Sequence, residues 1–233
     1  MDFEKELLKL KISLNDEMNS RFEQYYQRLV ETNEKMNLTA ITEKNEVYCK
    51  HFLDSLEITR TISVEDEYTL CDVGSGAGFP SIPLAIVNSK CNVTIIDALN
   101  KRIKFLNDLV KELGLNNVEA LHKRAEEFAK EKRECFDVVT ARAVARLNIL
   151  VELCLPLTRV GGKMIAMKGS SGIEELDEAK KAIITLGGKI KEIISVELPE
   201  GMGKRELIII EKVKSTPIKY PRAFSRIKER PIA

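Results

Sequence analysis

Residues 69–97 read TLCDVGSGAGFPSIPLAIVNSKCNVTIID. A short apolar run, Thr69–Val73, carries one acid, Asp72, and runs straight into Gly74-Ser75-Gly76-Ala77-Gly78. An apolar segment, Ser81–Val87, follows, then a β-branched run, Val93–Ile96, closed by Asp97. Apolar runs of this length bounded by turn residues predict buried strands. Glycines admit positive φ and close approach of the backbone to a ligand, and a helix starting just after them aims free N–H groups at it. An acid ending the next strand can accept two ribose hydroxyls. The stretch therefore predicts a nucleoside-cofactor site at the carboxyl edge of a parallel sheet, where open α/β sheets bind their ligands.

The spacing discriminates between cofactors. A dinucleotide loop reads G-x-G-x-x-G, with the acid about twenty residues on. Here the third glycine comes one residue early, and Phe79 stands where it would be. Asp72 lies just before the loop, where the double negative charge of a pyrophosphate gains nothing from it. The ammonium of S-adenosylmethionine can use such a carboxylate, so the pattern favours that cofactor over NAD. Asp72, Gly74, Gly76, Gly78, Phe79 and Asp97 are the candidate cofactor residues.

At 233 residues the chain has room for one α/β domain with additions or two small ones. Its 44% apolar and 31% charged residues describe a soluble globular protein. No apolar run is long enough for a bilayer, and the first residues lack the pattern of a signal peptide. The five cysteines form no C-x-x-C pair, and with two histidines the composition predicts no metal site. Reduced thiols and a cytoplasmic location are the plain reading. Net charge is +1, but residues 212–230 hold seven Lys/Arg and one acid, leaving 30 bases against 35 acids elsewhere. A basic tail on an acidic body fits a polyanionic partner; a solvated terminus explains it equally well.

The apolar spacing of Phe3, Leu7, Leu10, Leu14 and of Met18, Phe22, Tyr25, Leu29 predicts two amino-terminal helices. Tyr25-Tyr26 reads as core and rim. His51 and Asp54 are one helical turn apart, positioned for a surface hydrogen bond or for the mouth of the site. Beyond Asp97, helices over 99–113, 124–128 and 173–186 alternate with strands over 118–121, 136–141 and 161–169, and a hairpin closes the chain. The expected fold is α/β, a seven-stranded, mostly parallel sheet with its last strand antiparallel, of the S-adenosylmethionine-dependent methyltransferase type. The expected divisions are a helical extension over 1–60, the α/β domain over 61–213 and a basic tail over 214–233. Ala125 and Glu126, after the third strand, are candidates to border an adenine; a first-turn acid also serves the helix dipole alone.

Methyltransferases usually keep their chemistry after the fourth strand. Here that segment is Thr140-Ala141-Arg142-Ala143, without the Asn/Asp-Pro-Pro-aromatic pattern of exocyclic-amine methylation. Cys135 and Cys154 are misplaced as nucleophiles for pyrimidine C5. Guanine N7 needs neither device, only alignment of an exposed lone pair with the methyl group. Arg142 is the candidate catalytic residue. It suits a guanine O6/N7 edge, a cofactor carboxylate or an ion pair with an acid of the sheet rim.

The chain resembles the bacterial 16S rRNA guanine-N7 methyltransferases, also called glucose-inhibited division protein B. The resemblance lies in Asn37-Leu38-Thr39, His51 to Ser55, Asp72 to Pro83, Asp97 to Leu106, Arg124 to Phe128, Asp137 to Leu147, Lys168-Gly169 and Thr216 to Arg222. It implies methyl transfer from S-adenosylmethionine to N7 of a guanine in the 530 loop of 16S rRNA (position 527 in conventional rRNA numbering). It implies cofactor roles for Gly74, Phe79, Asp97, Ala98, Ala125, Glu126 and Arg142. Asn37, His51 and Lys168 fall in its motifs and join Lys101, Arg102, Lys219 and Arg222 as candidate RNA contacts. The tail departs from the family after Arg222, continuing Ala223-Phe224-Ser225-Arg226. Partners implied are the small subunit or an assembly intermediate, with a monomeric enzyme and no membrane. A methyltransferase of another RNA, or a non-catalytic RNA-binding sensor of S-adenosylmethionine, are the alternatives.

Overall fold

The computed structural model describes residues 1–232. Asp2 caps α1 (Phe3–Lys9) and Asn15 caps α2 (Asp16–Met36), each side chain accepting from a backbone N–H three residues on. Asp16 and Glu17 lie in the first turn of α2, and Asn37 ends it in the left-handed region at φ 47°. Next come α3 (Lys44–Val47), a π-helical stretch (Tyr48–Leu53), α4 (Asp54–Leu56) and a 3-10 turn (Glu57–Arg60).

Strand β1 (Thr69–Val73) opens the sheet, followed by α5 (Ser81–Val87), β2 (Asn92–Asp97), α6 (Asn100–Glu112), β3 (Val118–His122) and α7 (Ala125–Glu131). Then β4 (Phe136–Arg142), α8 (Leu147–Cys154), β5 (Thr158–Lys168), α9 (Glu174–Thr185), β6 (Gly188–Glu197), β7 (Lys204–Lys212) and α10 (Phe224–Glu229) complete the chain. The sheet order is β3-β2-β1-β4-β5-β7-β6, with β7 antiparallel to both its neighbours. This is the seven-stranded arrangement expected: six parallel strands and an antiparallel last one.

Two apolar layers hold the sheet. Leu70, Val93, Ile95 and Ile209 pack with Phe22, Tyr25, Phe52, Ile82 and Leu106 on one face. On the other, Cys71, Ile96, Val139 and Ile210 pack with Phe128, Leu150, Ile183 and Ile227. Alternate residues of one strand serve opposite layers, as a pleated sheet covered on both faces requires. No helix among the described residues is long and apolar enough to cross a membrane.

The basic tail is pinned through three cationic residues, Lys212, Arg133 and Arg222. Lys212, fully buried, donates to Leu155 O at 2.5 Å, Thr158 O at 3.2 Å and Thr216 Oγ1 at 2.8 Å, and pairs with Glu134 at 3.0 Å. The Arg133 guanidinium donates to the carbonyls of Thr216, Pro217 and Tyr220. Arg222 meets the fully buried Glu152 of α8 through Nε at 2.8 Å, Nη2 at 2.5 Å and its backbone N–H at 2.9 Å.

Candidate active site

The glycine loop leaves β1 with Gly74 N–H donating to Ile96 O at 2.8 Å, which ties it to the end of β2. Gly74, Gly76 and Gly78 all have positive φ. A Cβ on Gly74 would meet Val144 Cγ2 at 2.8 Å, and one on Gly78 would meet Ile82 Cγ1 at 2.7 Å and Tyr25 Oη at 2.8 Å. A Cβ on Gly76 would meet nothing within 4 Å, because Gly76 faces a cavity. Tyr25 reaches this loop from α2, its hydroxyl donating to Ala77 O at 2.6 Å while its ring stacks on Phe79 at 5.4 Å.

That cavity, of about 190 Å³, is lined by Leu38, Thr39, His51, the loop from Gly74 to Ala77, Phe79, Arg102, Arg142 and Ala143. Asp97 stands at its edge. Its Oδ1 accepts Leu99 N–H at 2.8 Å; its Oδ2 accepts Gly76 N–H and Arg102 Nη1, each at 3.3 Å. Both long contacts are to the oxygen nearest the glycine loop, and a carboxylate has acceptor capacity to spare. Asp72 is fully buried behind the loop with neither oxygen in a well-formed hydrogen bond. Burial raises its carboxyl to about 7, although Ser81, Arg142 and Ser75 lie near enough to pull the other way. A fully buried carboxyl without a well-formed partner, two residues before the glycine loop, fits a nearby cationic group such as the ammonium of S-adenosylmethionine. An open glycine face and an acid at the end of β2 fit the rest of that molecule.

A second cavity, of about 370 Å³, adjoins the first. His51, Arg142 and Ala143 line both and form the wall between them. The larger space is otherwise lined by Ile41, Lys50 and Asp54 of the extension, Met167 to Gly169, Ser171, Glu175, Arg205 and Leu207.

Arg142 organises that wall. Its Nη1 donates to Asp54 Oδ2 at 2.9 Å and to Lys50 O at 3.1 Å; its Nη2 lies 3.2 Å from His51 Nδ1. His51 Nδ1 lies between a donor, Arg142 Nη2, and an acceptor, Lys50 O at 3.1 Å, while Nε2 lies 2.9 Å from Thr39 Oγ1. Burial first, and the Arg142 charge second, hold His51 near pKa 3, so its ring is neutral. The ring stacks on Phe79 at 4.5 Å, and the Arg142 guanidinium lies 4.9 Å from the same ring. Ala143 follows at φ 57°, a strained value for a residue with a Cβ. The segment beyond it is tied down by Lys168, which donates to Ala145 O at 2.8 Å and pairs with Glu175 at 2.8 Å. Glu175 in turn accepts Leu147 N–H at 2.6 Å.

The structure thus brings Gly74, Gly76, Phe79, Arg102, Arg142 and His51 to the smaller cavity, with Asp97 bonded to Gly76 of its lining and Asp72 buried outside that lining. Lys168 lines the larger one, its charge already paired. Gly78 turns away from both, into Tyr25, Ile82 and Leu106. Ala98 is exposed just beyond β2, its carbonyl accepting from His122. Ala125 and Glu126 form the first turn of α7, outside the lining of either cavity. Asn37 and Lys101 are exposed. In the tail Lys219 is exposed, while Arg222 is committed to Glu152.

Tyr25, Thr39, Lys50, Asp54, Glu175 and Arg205 are additional residues of the site. The i, i+3 spacing of His51 and Asp54 was the available signal for Asp54. Nothing local marked Arg205, whose partner is on another element.

A family model described as rRNA small subunit methyltransferase G matches residues 18–208. The curated relatives that the chain resembles include Ribosomal RNA small subunit methyltransferase G of Staphylococcus saprophyticus, 56% identical over 212 residues, 91% of this chain and 89% of the relative. The protein of the same name from Lactobacillus johnsonii is 50% identical over 99% of this chain and 98% of its own length. Among solved structures, a SAM-dependent O-methyltransferase from Thermotoga maritima superposes with a TM-score of 0.54 at 18% identity, covering 81% of this chain and 72% of that one. TrmN from Thermus thermophilus gives 0.55 at 17% identity, over 69% of this chain and 48% of its own. At such identities these structures speak for the fold alone.

Proposed function

The chain belongs to the rRNA small subunit methyltransferase G family, and we propose that it methylates N7 of a guanine in the 530 loop of 16S rRNA. It is an S-adenosylmethionine-dependent rRNA methyltransferase. The observation that carries the finer reading is the pair of cavities sharing the wall of His51, Arg142 and Ala143. One holds the donor and the other the acceptor base, with the transfer path crossing between them.

S-adenosylmethionine, when bound, supplies a methyl group on a sulfonium. Gly74, Gly76 and Phe79 would flank it, Asp97 would accept from its ribose hydroxyls, and the buried Asp72 would favour its ammonium through the loop. Ala98, Ala125 and Glu126, which lie beyond the lining of the smaller cavity, would border the adenine only where the cofactor extends past it. Arg142 orients the partners across the wall. Guanine N7 brings its own lone pair, so no side chain must remove a proton. A neutral His51 is consistent with that chemistry. The chain's contribution is alignment and exclusion of water.

The cationic groups beside the glycine loop and in the tail fit a polyanionic acceptor. Lys101, Arg102 and Lys219 would meet phosphates, with the shape of a folded RNA supplying register. The enzyme acts as a monomer in the cytoplasm, where small subunits assemble.

Labelled methyl transfer to purified small subunits, free 16S rRNA and tRNA, with the product nucleoside identified, tests the reading. Label recovered as 7-methylguanosine in 16S rRNA supports it. Cofactor binding without transfer to any of the three would overturn the acceptor assignment.

A further inference from the structure

Asp54 opens α4 in the helical extension and is 3% exposed. Its Oδ2 takes two guanidinium groups, Arg142 Nη1 at 2.9 Å and Arg205 Nε at 3.0 Å. Its Oδ1 has no hydrogen-bond partner. A buried carboxylate oxygen without a donor is costly, and such an atom in a native fold calls for an explanation. Asp54 lines the larger cavity and not the smaller, whereas Arg142 lines both. The larger cavity is therefore lined by a donor at the shared wall, Arg142, and beyond it by an acceptor, Asp54, held together by their ion pair, with Oδ1 beneath the surface for a bound base to uncover.

We propose that this pair selects guanine. Along one side of the base the groups run N7, O6, N1–H and the N2 amino group. With N7 turned to the shared wall, O6 meets the Arg142 guanidinium, and Asp54 Oδ1 accepts from N1–H and the N2 amino group. Adenine reverses both contacts. Its N6 amino group would face the guanidinium as donor against donor, and its unprotonated N1 would face the carboxylate as acceptor against acceptor. A site built around such polar pairs rejects the wrong edge strongly, because its buried groups are left unpaired.

The same contact assists transfer. As the methyl bond to sulfur breaks and the bond to N7 forms, the positive charge moves from sulfonium to base. The N1 proton stays on the base but becomes more acidic, so its hydrogen bond to Asp54 strengthens toward the transition state. Asp54 is thereby a specificity residue that touches the acceptor. Arg205, on β7, holds Asp54 in place.

This inference rests on the guanine-N7 reading above, and the test separates the two. Small subunits are reconstituted around 16S rRNA carrying guanosine, inosine or 1-methylguanosine at the acceptor position, and initial rates of labelled methyl transfer are compared. Inosine lacks the N2 amino group and is expected to react roughly tenfold more slowly than guanosine. 1-Methylguanosine lacks N1–H and is expected to react roughly a thousandfold more slowly. In Asp54→Asn the two arginines hold the single amide oxygen, which turns the NH₂ toward N1–H. The guanosine rate should fall roughly a hundredfold and the guanosine-to-inosine ratio should approach one. That ratio is independent of the fraction of folded protein, and equilibrium dialysis of S-adenosylmethionine reports folding of the variant directly. Equal wild-type rates on guanosine and 1-methylguanosine, or an unchanged ratio in Asp54→Asn, would overturn the proposal while leaving N7 methylation standing. No 7-methylguanosine from the guanosine subunits would overturn the acceptor reading itself.

Discussion

Arg142 Nη1 lies 2.9 Å from Asp54 Oδ2, joining the end of β4 to a helix 88 residues earlier in the chain. The same guanidinium reaches Lys50 O and His51 Nδ1. One planar fork thus fixes three residues of the extension against the sheet, a geometry that an ammonium cannot reproduce. Arg142→Lys should therefore lower kcat/KM by roughly a hundredfold, close to the effect of Arg142→Ala. Arg142→Ala also strips a buried carboxylate of one of its two partners. It should cost about 3 kcal/mol, or a Tm drop of roughly 6–12 °C. Steady-state kinetics and thermal denaturation check both; a lysine variant at wild-type rate would remove the guanidinium fork from the account.

Asp72 and His51 give stability opposite dependences on pH. The Asp72 carboxyl is raised by burial from 3.8 to about 7. The folded chain therefore holds a proton that the unfolded chain loses near 3.8, and the contribution, full below that, is lost as pH rises through 7. His51 is lowered from 6.5 to about 3, by burial first and Arg142 second. Its contribution is present above 6.5 and lost as pH falls toward 3. Asp72→Asn should raise Tm at pH 8, where the wild type buries a charge, while weakening S-adenosylmethionine binding. Between pH 5.5 and 7 the wild-type affinity should rise by up to about tenfold per unit, and the variant's should be flatter. Melting curves and calorimetric titration give the two answers; a lower Tm for Asp72→Asn at pH 8 contradicts the assignment.

The glycines of the loop should separate folding from binding. Gly76→Ala adds a methyl group to open space at φ +64°, so it should cost only about 1–2 kcal/mol in backbone strain. That methyl group enters the smaller cavity and should abolish measurable cofactor binding in a folded protein. Gly78→Ala drives a methyl into Ile82 and Tyr25 at φ +107°, and overpacking of about 1–3 kcal/mol adds to the strain. Circular dichroism with ligand titration distinguishes the two outcomes, and normal cofactor affinity in Gly76→Ala would displace the cofactor from this cavity.

Charge removal in the tail should have two different effects. Lys219 and Arg226 are exposed, and neutralising both should leave Tm within about 1 °C. It should also reduce the salt dependence of RNA binding, with a slope smaller by roughly two. Arg222→Ala leaves the buried Glu152 without its guanidinium and should cost about 3 kcal/mol, appearing first as release of the tail to proteolysis. Unchanged RNA affinity and salt slope in the Lys219/Arg226 double variant would take the tail out of RNA binding.

Elements with a local period were legible from residue order. The α2 stripe of Phe22, Tyr25 and Leu29 and the fully buried run of β2 follow from spacing alone. So did the acid–glycine–strand–acid order that places Asp72 and Asp97 at one edge of the sheet. The π-helical stretch over Tyr48–Leu53 was not legible, because its ladder differs from an α-helix by one residue without changing composition. Nor was the pairing of Asp54 with Arg205, which joins a helix to the antiparallel strand β7. The tail's basic composition concealed a division of labour: Arg222 is paired because α8 buries a carboxylate opposite it, which only the fold reveals.

The two cavities draw on the chain unevenly. Every residue lining the smaller one lies between Leu38 and Ala143, whereas the larger one also needs β5, the start of α9 and β7. The smaller cavity is thus complete without the carboxyl-terminal third, and the larger one joins that third to the extension and the end of β4. Substitutions confined to β5 to β7 should therefore alter the larger cavity while leaving every residue that lines the smaller one in place.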